Sequence, residues 1–309
     1  MQGKLVTLIG GGGFLGRYVA QELLRREARV RIAQRDPKEA YFIRPLGGLG
    51  QTQFVAADIR RPETLARAIE GSDAVVNLVG VLNGDFPAFH VAGPANLARA
   101  CTEAGVPALV HVSAIGADPR SPSAYGRSKG EGEAAVSGGF PAATILRPSI
   151  VFGREDQFVN RFAGMIAGAP VVPIVRAGVK FQPVYVTDVA EAVARVLAEP
   201  SHAGKTYELG GPDVITMGGL QRWITKAIGA KPQFVELPDA VSAMIARAGF
   251  LPGAPITWDQ WLMLQRDNIV APGAEGLAAL GVIPTPLETV APGWLVRFRR
   301  HGRFTPVQA

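Results

Sequence analysis

Leu5-Val6-Thr7-Leu8-Ile9-Gly10-Gly11-Gly12-Gly13-Phe14-Leu15-Gly16 is the stretch whose reading decides the fold. A short apolar run enters four glycines, and a helix-length segment, Leu15–Arg26, leaves them. A strand that passes straight into a helix must turn sharply, and glycine permits such a turn. Taken as Gly10, Gly13 and Gly16, the spacing is GxxGxxG. It serves a tight turn, close approach of main chain to a diphosphate, and packing of helix on strand. The helix N-terminus then offers unpaired N–H groups to an anion. Gly10, Gly13, Phe14, Leu15 and Gly16 are therefore candidate contacts of a dinucleotide. A flexible glycine-rich loop has the same composition, but not the same place between a strand and a helix.

Outward from this turn, short apolar runs alternate with helical segments. Strands are expected at Leu5–Ile9, Arg29–Ala33, Gln53–Ala57, Ala74–Leu78, Ala108–Val112 and Ala142–Leu146. Helices are expected at Leu15–Arg26, Pro62–Ile69, Pro94–Ala104 and Tyr125–Ser137. Several strands are continuously apolar, as strands covered on both faces are. The βαβ rhythm predicts an α/β fold, a Rossmann-type doubly wound parallel sheet. After Pro148 the rhythm loosens. Helices are expected at Gln157–Ala167, at Thr187–Ala198 with Thr187 as its N-cap, at Thr216–Ile228, Asp239–Ala248 and Trp258–Gln265, with a strand at Tyr207–Leu209. The expected organisation is a dinucleotide-binding domain over residues 1–150. A smaller C-terminal α/β cap and substrate region follows over 151–309, with some segments returning to the first domain.

Composition bounds the alternatives. The chain has 309 residues, 48% of them hydrophobic and 19% charged, enough apolar material for a large core. One cysteine, Cys101, excludes an intrachain disulfide. The net charge of +6 suits an acidic surface, though a solvated basic surface explains it as well. No nucleic-acid motif accompanies the charge, and no metal-ligand spacing is present. No leader-like segment and no apolar run of 18 residues occurs, so a cytoplasmic protein is expected.

The strand ends carry the remaining candidates. Gln34 stands where an acid would bind the ribose 2′-hydroxyl of NAD, and Arg35 follows it. A guanidinium fits a 2′-phosphate, so NADP(H) is favoured over NAD(H). Asp36 complicates this, since it could turn toward the ribose. Asp58, after the third strand, could accept from the adenine amino group or could simply stabilise a turn. Asn77 and Gly80 end the fourth strand, where the chain should pass under the cofactor. Ser113 follows the fifth. Tyr125-Gly126-Arg127-Ser128-Lys129 reads YxxxK, and positions i and i+4 share a helix face. Lys129 beneath a ribose would favour the Tyr125 phenolate. Tyr125 could then exchange a proton with a substrate oxygen held by Ser113. A packed tyrosine beside a solvated lysine is the plainer alternative.

Together these pieces resemble the extended short-chain dehydrogenase/reductases over nearly the whole chain. The matching stretches are Gly10–Gly16, Asp58, Asn77–Gly80, Ser113, Tyr125/Lys129, Arg147–Gly153, Pro183–Ala190 and Tyr207–Pro212. The resemblance implies bound NAD(P)(H), with Ile59 and Pro148 joining the cofactor contacts. More narrowly, Gly13–Val19, His90–Gly93 and Asp267–Val270 resemble the branch that holds the nucleotide-binding accessory subunit of respiratory complex I and its bacterial relatives. That branch implies two roles. One is an oxidoreductase or epimerase-like enzyme on a small carbonyl or hydroxyl substrate, with a link to ubiquinone metabolism. The other is a non-catalytic, NADP(H)-bound accessory or assembly subunit. His90 departs from the pattern, since many extended members carry Asn there; a satisfied structural histidine is the simpler reading. Arg147, Arg154, Arg161 and Arg176 are scattered rather than clustered, unlike a site for a nucleotide-sugar diphosphate.

Toward the C-terminus, Asp239–Leu251 is apolar around much of its circumference, and Trp258, Trp261, Leu262 and Trp294 add bulk. They could cover a core or face a partner or lipid. Arg297, Arg299, Arg300 and Arg303 form a basic tail that anionic headgroups would attract. A solvated, frayed tail explains these arginines equally well; a respiratory membrane complex or an anionic membrane surface, met at the inner face of the membrane, is the candidate macromolecular partner, and nucleic acid is not.

Overall fold

The computed structural model describes residues 1–249 and 256–304. Phe250 and Leu251 of the apolar segment, and the side chain of Arg303, lie outside the described residues. The chain divides into two compact units: residues 1–148, 186–209 and 272–283 form the first, and residues 149–185, 210–271 and 284–309 the second.

In the first unit the expected strands form at Leu5–Ile9 (β1), Arg29–Gln34 (β2), Thr52–Ala56 (β3), Ala74–Asn77 (β4), Leu109–Val112 (β5) and Thr144–Pro148 (β6). Together with Thr206–Leu209 they make a seven-stranded sheet, ordered β3-β2-β1-β4-β5-β6 with Thr206–Leu209 outermost. Every pairing in it is parallel. β1, β4 and β5 are buried at every position, which is why they read as near-continuous apolar runs, broken only by Thr7, Asn77 and His111. Helices Phe14–Arg25 (α1), Pro62–Ile69 (α2), Gly93–Glu103 (α3) and Ala124–Gly139 (α4) cross between the strands. Leu65, Ile69, Leu97 and Cys101 from α2 and α3 close over Ile9, Ala33 and Val75. This is a Rossmann-type doubly wound sheet, and the strand order reverses between β1 and β4.

The register fixes the functional edge. Ile9 lies beside Ala33 on one side and Asn77 on the other; Asn77 pairs with His111, and Val112 with Leu146. Gly10, Gln34, Leu78, Ser113 and Arg147 therefore come to nearly one level at the carboxyl ends of the strands. Ligands of open α/β sheets bind at that edge, beside the switch point.

Two irregular turns escaped the periodicity argument. Pro37–Leu46 winds as a 3₁₀ helix, started by the Asp36 carboxylate, which accepts from the Lys38 N–H at 2.9 Å. Pro87–Ala92 forms a π-helical turn leading into α3. The α4 helix lies directly against it: a Cβ built at Gly132 would collide with the His90 carbonyl. Glycine, costly inside a helix, is what lets these two backbones touch.

The second unit is also α/β. Val171–Val175 pairs in parallel with Gln233–Leu237, and two further short strand pairs complete it. Helices Val159–Gly168 (α5) and Met217–Ile228 (α7) share a core with Phe152, Leu287 and Leu295. The intervening α6, Val186–Ala198, belongs to the first unit and begins one residue before Thr187, which is thus inside the helix and not its cap. Asp156 explains the late start of α5: its carboxylate accepts from the N–H groups of Phe158 and Asn160. Asp267 accepts from the Lys180 N–H, and Asn268 from the Ser149 hydroxyl, so the Asp267–Val270 segment is stitched into this unit. The C-terminal apolar residues divide. Trp261 is buried with Ala246 and Ile256, and Trp294 stacks on Tyr185, whereas Met244, Val241 and Trp258 stay exposed. Among the described residues no helix is long and apolar enough to cross a membrane.

Replacing Gly132 by Ala should lower the thermal midpoint by several degrees, because the His90 carbonyl cannot retreat without breaking its turn. Overpacking of this kind costs about 1–3 kcal/mol. Calorimetry against a Gly138→Ala control, a site where nothing lies within 4 Å, reads the difference.

Candidate functional site

The phosphate turn has the geometry its glycines suggest. Gly10 takes φ +79° and donates to the Ala33 carbonyl at 2.8 Å, tying the turn to β2. A Cβ at Gly16 would strike the Gly11 backbone, so this glycine lets the helix close on the turn. Gly13 precedes α1 in extended conformation and supplies no side-chain cap. The first-turn N–H groups of Phe14, Leu15 and Gly16 are those a helix cannot satisfy itself. Phe14 and Leu15 are half-buried, with the Phe14 ring edge-on to Tyr18 at 5.9 Å.

At the end of β2 the Gln34 amide reaches over Gly12 and donates to the Asp36 carbonyl at 2.6 Å. The Asp36 carboxylate is taken by the Lys38 amide, while Arg35 is exposed. Asp58 is a turn aspartate. It accepts from the Arg60 N–H and pairs with the Arg60 guanidinium at 2.6 and 3.0 Å. Those hydrogen bonds hold its carboxyl below the usual range, with a lesser contribution from Arg35. The Arg60 guanidinium also lies over the Phe89 ring, 4.8 Å from its centre. Ile59 turns inward, buried where a Cβ on Gly93 would meet it.

The centre of the edge is a buried polar cluster. The Asn77 Oδ1 accepts from the Val79 N–H, and its Nδ2 donates to His111 Nδ1 at 3.0 Å. Gly80, two residues past the turn, is exposed, and a Cβ there would lie 3.9 Å from the Lys129 Nζ. Lys129, 4% exposed, donates to the Val112 carbonyl at 3.1 Å. The Ser113 hydroxyl, one residue on, is buried and has no hydrogen-bond partner. Pro148 closes the edge, its carbonyl accepting from the Ile115 N–H. α4 starts at a Ser123 cap whose hydroxyl accepts from the Gly126 N–H, and this sets Tyr125 in the first turn, half-buried.

Burial pushes the Tyr125 phenol up to about 12, and it brings the Lys129 ammonium down to about 8, partly opposed by Glu133. The lysine's nitrogen is directed to a backbone carbonyl. Arg147, a candidate for anion binding, is engaged internally: it forks onto Glu133 at 2.6 and 2.9 Å and reaches Glu208 at 3.4 Å. Arg176 likewise pairs with Asp239.

Sequence reasoning missed His111 and Ser128. A histidine inside a fully buried parallel strand had to have a partner, and that was the available signal. His90 is satisfied on both nitrogens. Its Nε2 accepts from the Val81 N–H at 3.0 Å, and its Nδ1 meets the Ser128 hydroxyl at 2.9 Å. Burial, with the Lys129 charge adding to it, holds it at about 4.

The residues fit a dinucleotide: a helix N-terminus without a side-chain cap, an unpartnered buried hydroxyl at the next strand end but one, and an exposed guanidinium at the end of β2. Residues 6–210 match the NAD dependent epimerase/dehydratase family. The NADH dehydrogenase (ubiquinone) 1 alpha subcomplex subunit 9 of Rattus norvegicus mitochondria is 36% identical over 310 residues, covering 97% of this chain and 82% of the subunit. The ceramide reductase of Caulobacter vibrioides is 26% identical, over 94% of this chain and 96% of its own. An NADPH-dependent quinone oxidoreductase of Escherichia coli, solved with NADPH, shares the fold. Its TM-score is 0.76 at 23% identity, covering 93% of this chain and 98% of its own.

Because the folded chain keeps His90 neutral, the unfolded chain takes up a proton there between pH 6.5 and about 4 that the folded chain refuses. Stability is therefore full above pH 6.5 and falls as pH drops toward 4, by at most about 3 kcal/mol from this group. Urea unfolding at pH 7.0, 6.0 and 5.0 should show a shallower dependence in His90→Gln than in the wild type. Parallel curves would mean that His90 is not the neutral buried group described.

Proposed function

The chain belongs to the NAD dependent epimerase/dehydratase family, and from that premise we propose that it is an NADP(H)-dependent oxidoreductase acting on a small carbonyl or hydroxyl substrate. The observation that carries this reading is the Ser113 hydroxyl, buried and without a partner beside the carbonyl that anchors Lys129. An unsatisfied buried hydroxyl costs about 1–3 kcal/mol, which an accepting substrate oxygen would recover. A fold-stabilising residue has no need of that arrangement.

In this reading the backbone N–H groups at Phe14–Gly16 hold the pyrophosphate, and Arg35 meets the 2′-phosphate. The case for NADP(H) over NAD(H) rests on Arg35 being exposed while the Asp36 carboxylate is engaged elsewhere. When bound, the nicotinamide supplies or takes up the hydride. Ser113 donates to the substrate carbonyl oxygen and orients it. Tyr125, kept protonated by burial, hands its phenolic proton to that oxygen as negative charge develops, which suits the direction of reduction. Lys129, fixed on the Val112 carbonyl, stabilises the phenolate left behind and leads toward the ribose. A quinone is the first substrate to test, given the relatives' association with ubiquinone.

A second reading is favoured by the 36% identity with the mitochondrial subunit. Here NADP(H) stabilises the fold by binding only the native state, and the protein serves as an accessory or assembly subunit of a respiratory complex. The net charge of +6 and the absence of a membrane-crossing helix among the described residues suit a peripheral place on an anionic inner membrane face.

Tyr125→Phe separates the two. The enzyme reading expects NADPH to bind as in the wild type while NADPH-dependent quinone reduction falls at least about 100-fold, the usual worth of general acid catalysis. If respiration and quinone levels fail on loss of the protein but are unchanged in Tyr125→Phe cells, the accessory reading holds. Arg35→Ala should weaken NADPH about 10–100-fold, the worth of a charge-assisted contact, and leave NADH unchanged. Titration calorimetry with both nucleotides measures this, and equal losses for both would remove the preference for NADP(H).

A further inference from the structure

The segment from Asn77 to Val81 leaves the sheet at the switch point, and two imidazoles hold it. His111, on β5 and 1% exposed, accepts from the Asn77 Nδ2 at one end. The amide orientation follows from its other contact, since Asn77 Oδ1 accepts from the Val79 N–H at 3.1 Å. His90, on the π-helical turn and 2% exposed, accepts from the Val81 N–H at the other end. Its tautomer follows as well. The Ser128 hydroxyl donates to the Tyr125 carbonyl at 2.9 Å and so accepts from the His90 Nδ1–H. Each imidazole thus spends its one acceptor nitrogen on this segment, and an imidazolium has no acceptor to offer.

We propose that His90 and His111 are positioning residues, a pair of neutral imidazoles whose acceptor nitrogens set both ends of Asn77–Val81 and thereby the main chain that underlies the bound dinucleotide. This rests on the reading above that the segment meets the cofactor. His90 also couples the segment to the start of α4. Its ring stands edge-on to Tyr125 at 5.5 Å and stacks on Phe86 at 5.3 Å, while Ser128 carries its hydrogen bond to the Tyr125 backbone. The groups around the pair favour neutrality. Burial dominates for both rings, the Lys129 charge adds to it for both, and His90 acts on His111 in the same direction. One lysine therefore does two things: it donates to the Val112 carbonyl next to Ser113, and its charge adds to burial in keeping both imidazoles in the form that can accept.

Amide hydrogen exchange and NADPH titration on the full chain at pH 7.5 test the pairing. His90→Phe keeps a ring but removes the acceptor. Exchange over residues 77–82 should quicken at least about tenfold, with β1 and β2 unaffected, and NADPH should bind about tenfold more weakly, as expected for one orphaned buried donor. His90→Gln restores an oxygen near the Nε2 position and should bring both measurements to within about threefold of the wild type. His111→Leu and His111→Asn repeat the comparison at the other end and decide the matter should His90→Phe not fold. Equal behaviour of the acceptor-retaining and acceptor-free variants overturns the proposal, as does unchanged exchange over 77–82. If the wild type binds no NADPH, the proposed function fails, but the exchange comparison still decides whether the imidazoles hold the segment.

Discussion

The contact between α4 and the turn carrying His90 organises the first unit. At Gly132 the helix meets the His90 carbonyl with no side chain between them. Close backbone approach of this kind leaves no water layer, so a polar group trapped nearby is costly unless it finds a protein partner. His90, Ser128, His111, Asn77 and Lys129 all do so, in hydrogen bonds of 2.9–3.1 Å. The helix that carries Tyr125 and Lys129 is therefore fixed in place by packing.

Burial also sorts the charges. Two imidazoles and an ammonium lie within one cluster, and the lysine alone of these three is the group expected to carry charge at neutral pH. The phenol of Tyr125 is likewise held in its neutral form. In the proposed reduction this is the form that has a proton to give. Farther out, Arg147 shows the opposite arrangement, a guanidinium fully committed between Glu133 and Glu208 that ties α4 to the sheet and is not free for a substrate.

Much of the fold was legible because its signals are local. β1, β4 and β5 announce themselves as near-continuous apolar runs, and the glycines between Ile9 and Gly16 announce the turn. The 3₁₀ segment after Asp36 and the π-helical turn at His90 were not legible, since neither has a hydrophobic period of its own. The start of α6 was misjudged because Thr187 has the residue type of a cap without its position. Asp36 and Asp58 show the same limit at the site: each is an acid at a strand end, and nearby backbone and side-chain donors decided where it points.

The sequence by itself determined the alternation of strands and helices, the glycine turn between β1 and α1 and the placing of Tyr125 and Lys129 one helical turn apart, because periodicity, glycine content and i,i+4 spacing act over a few residues. Only the tertiary structure decided which polar groups are satisfied. His111 and Asn77 lie 34 residues apart, and His90 and Ser128 lie 38 apart. Hydrogen-bond partners at that separation are chosen by how the strands stack and how closely α4 approaches, and neither is written in any short stretch of the chain.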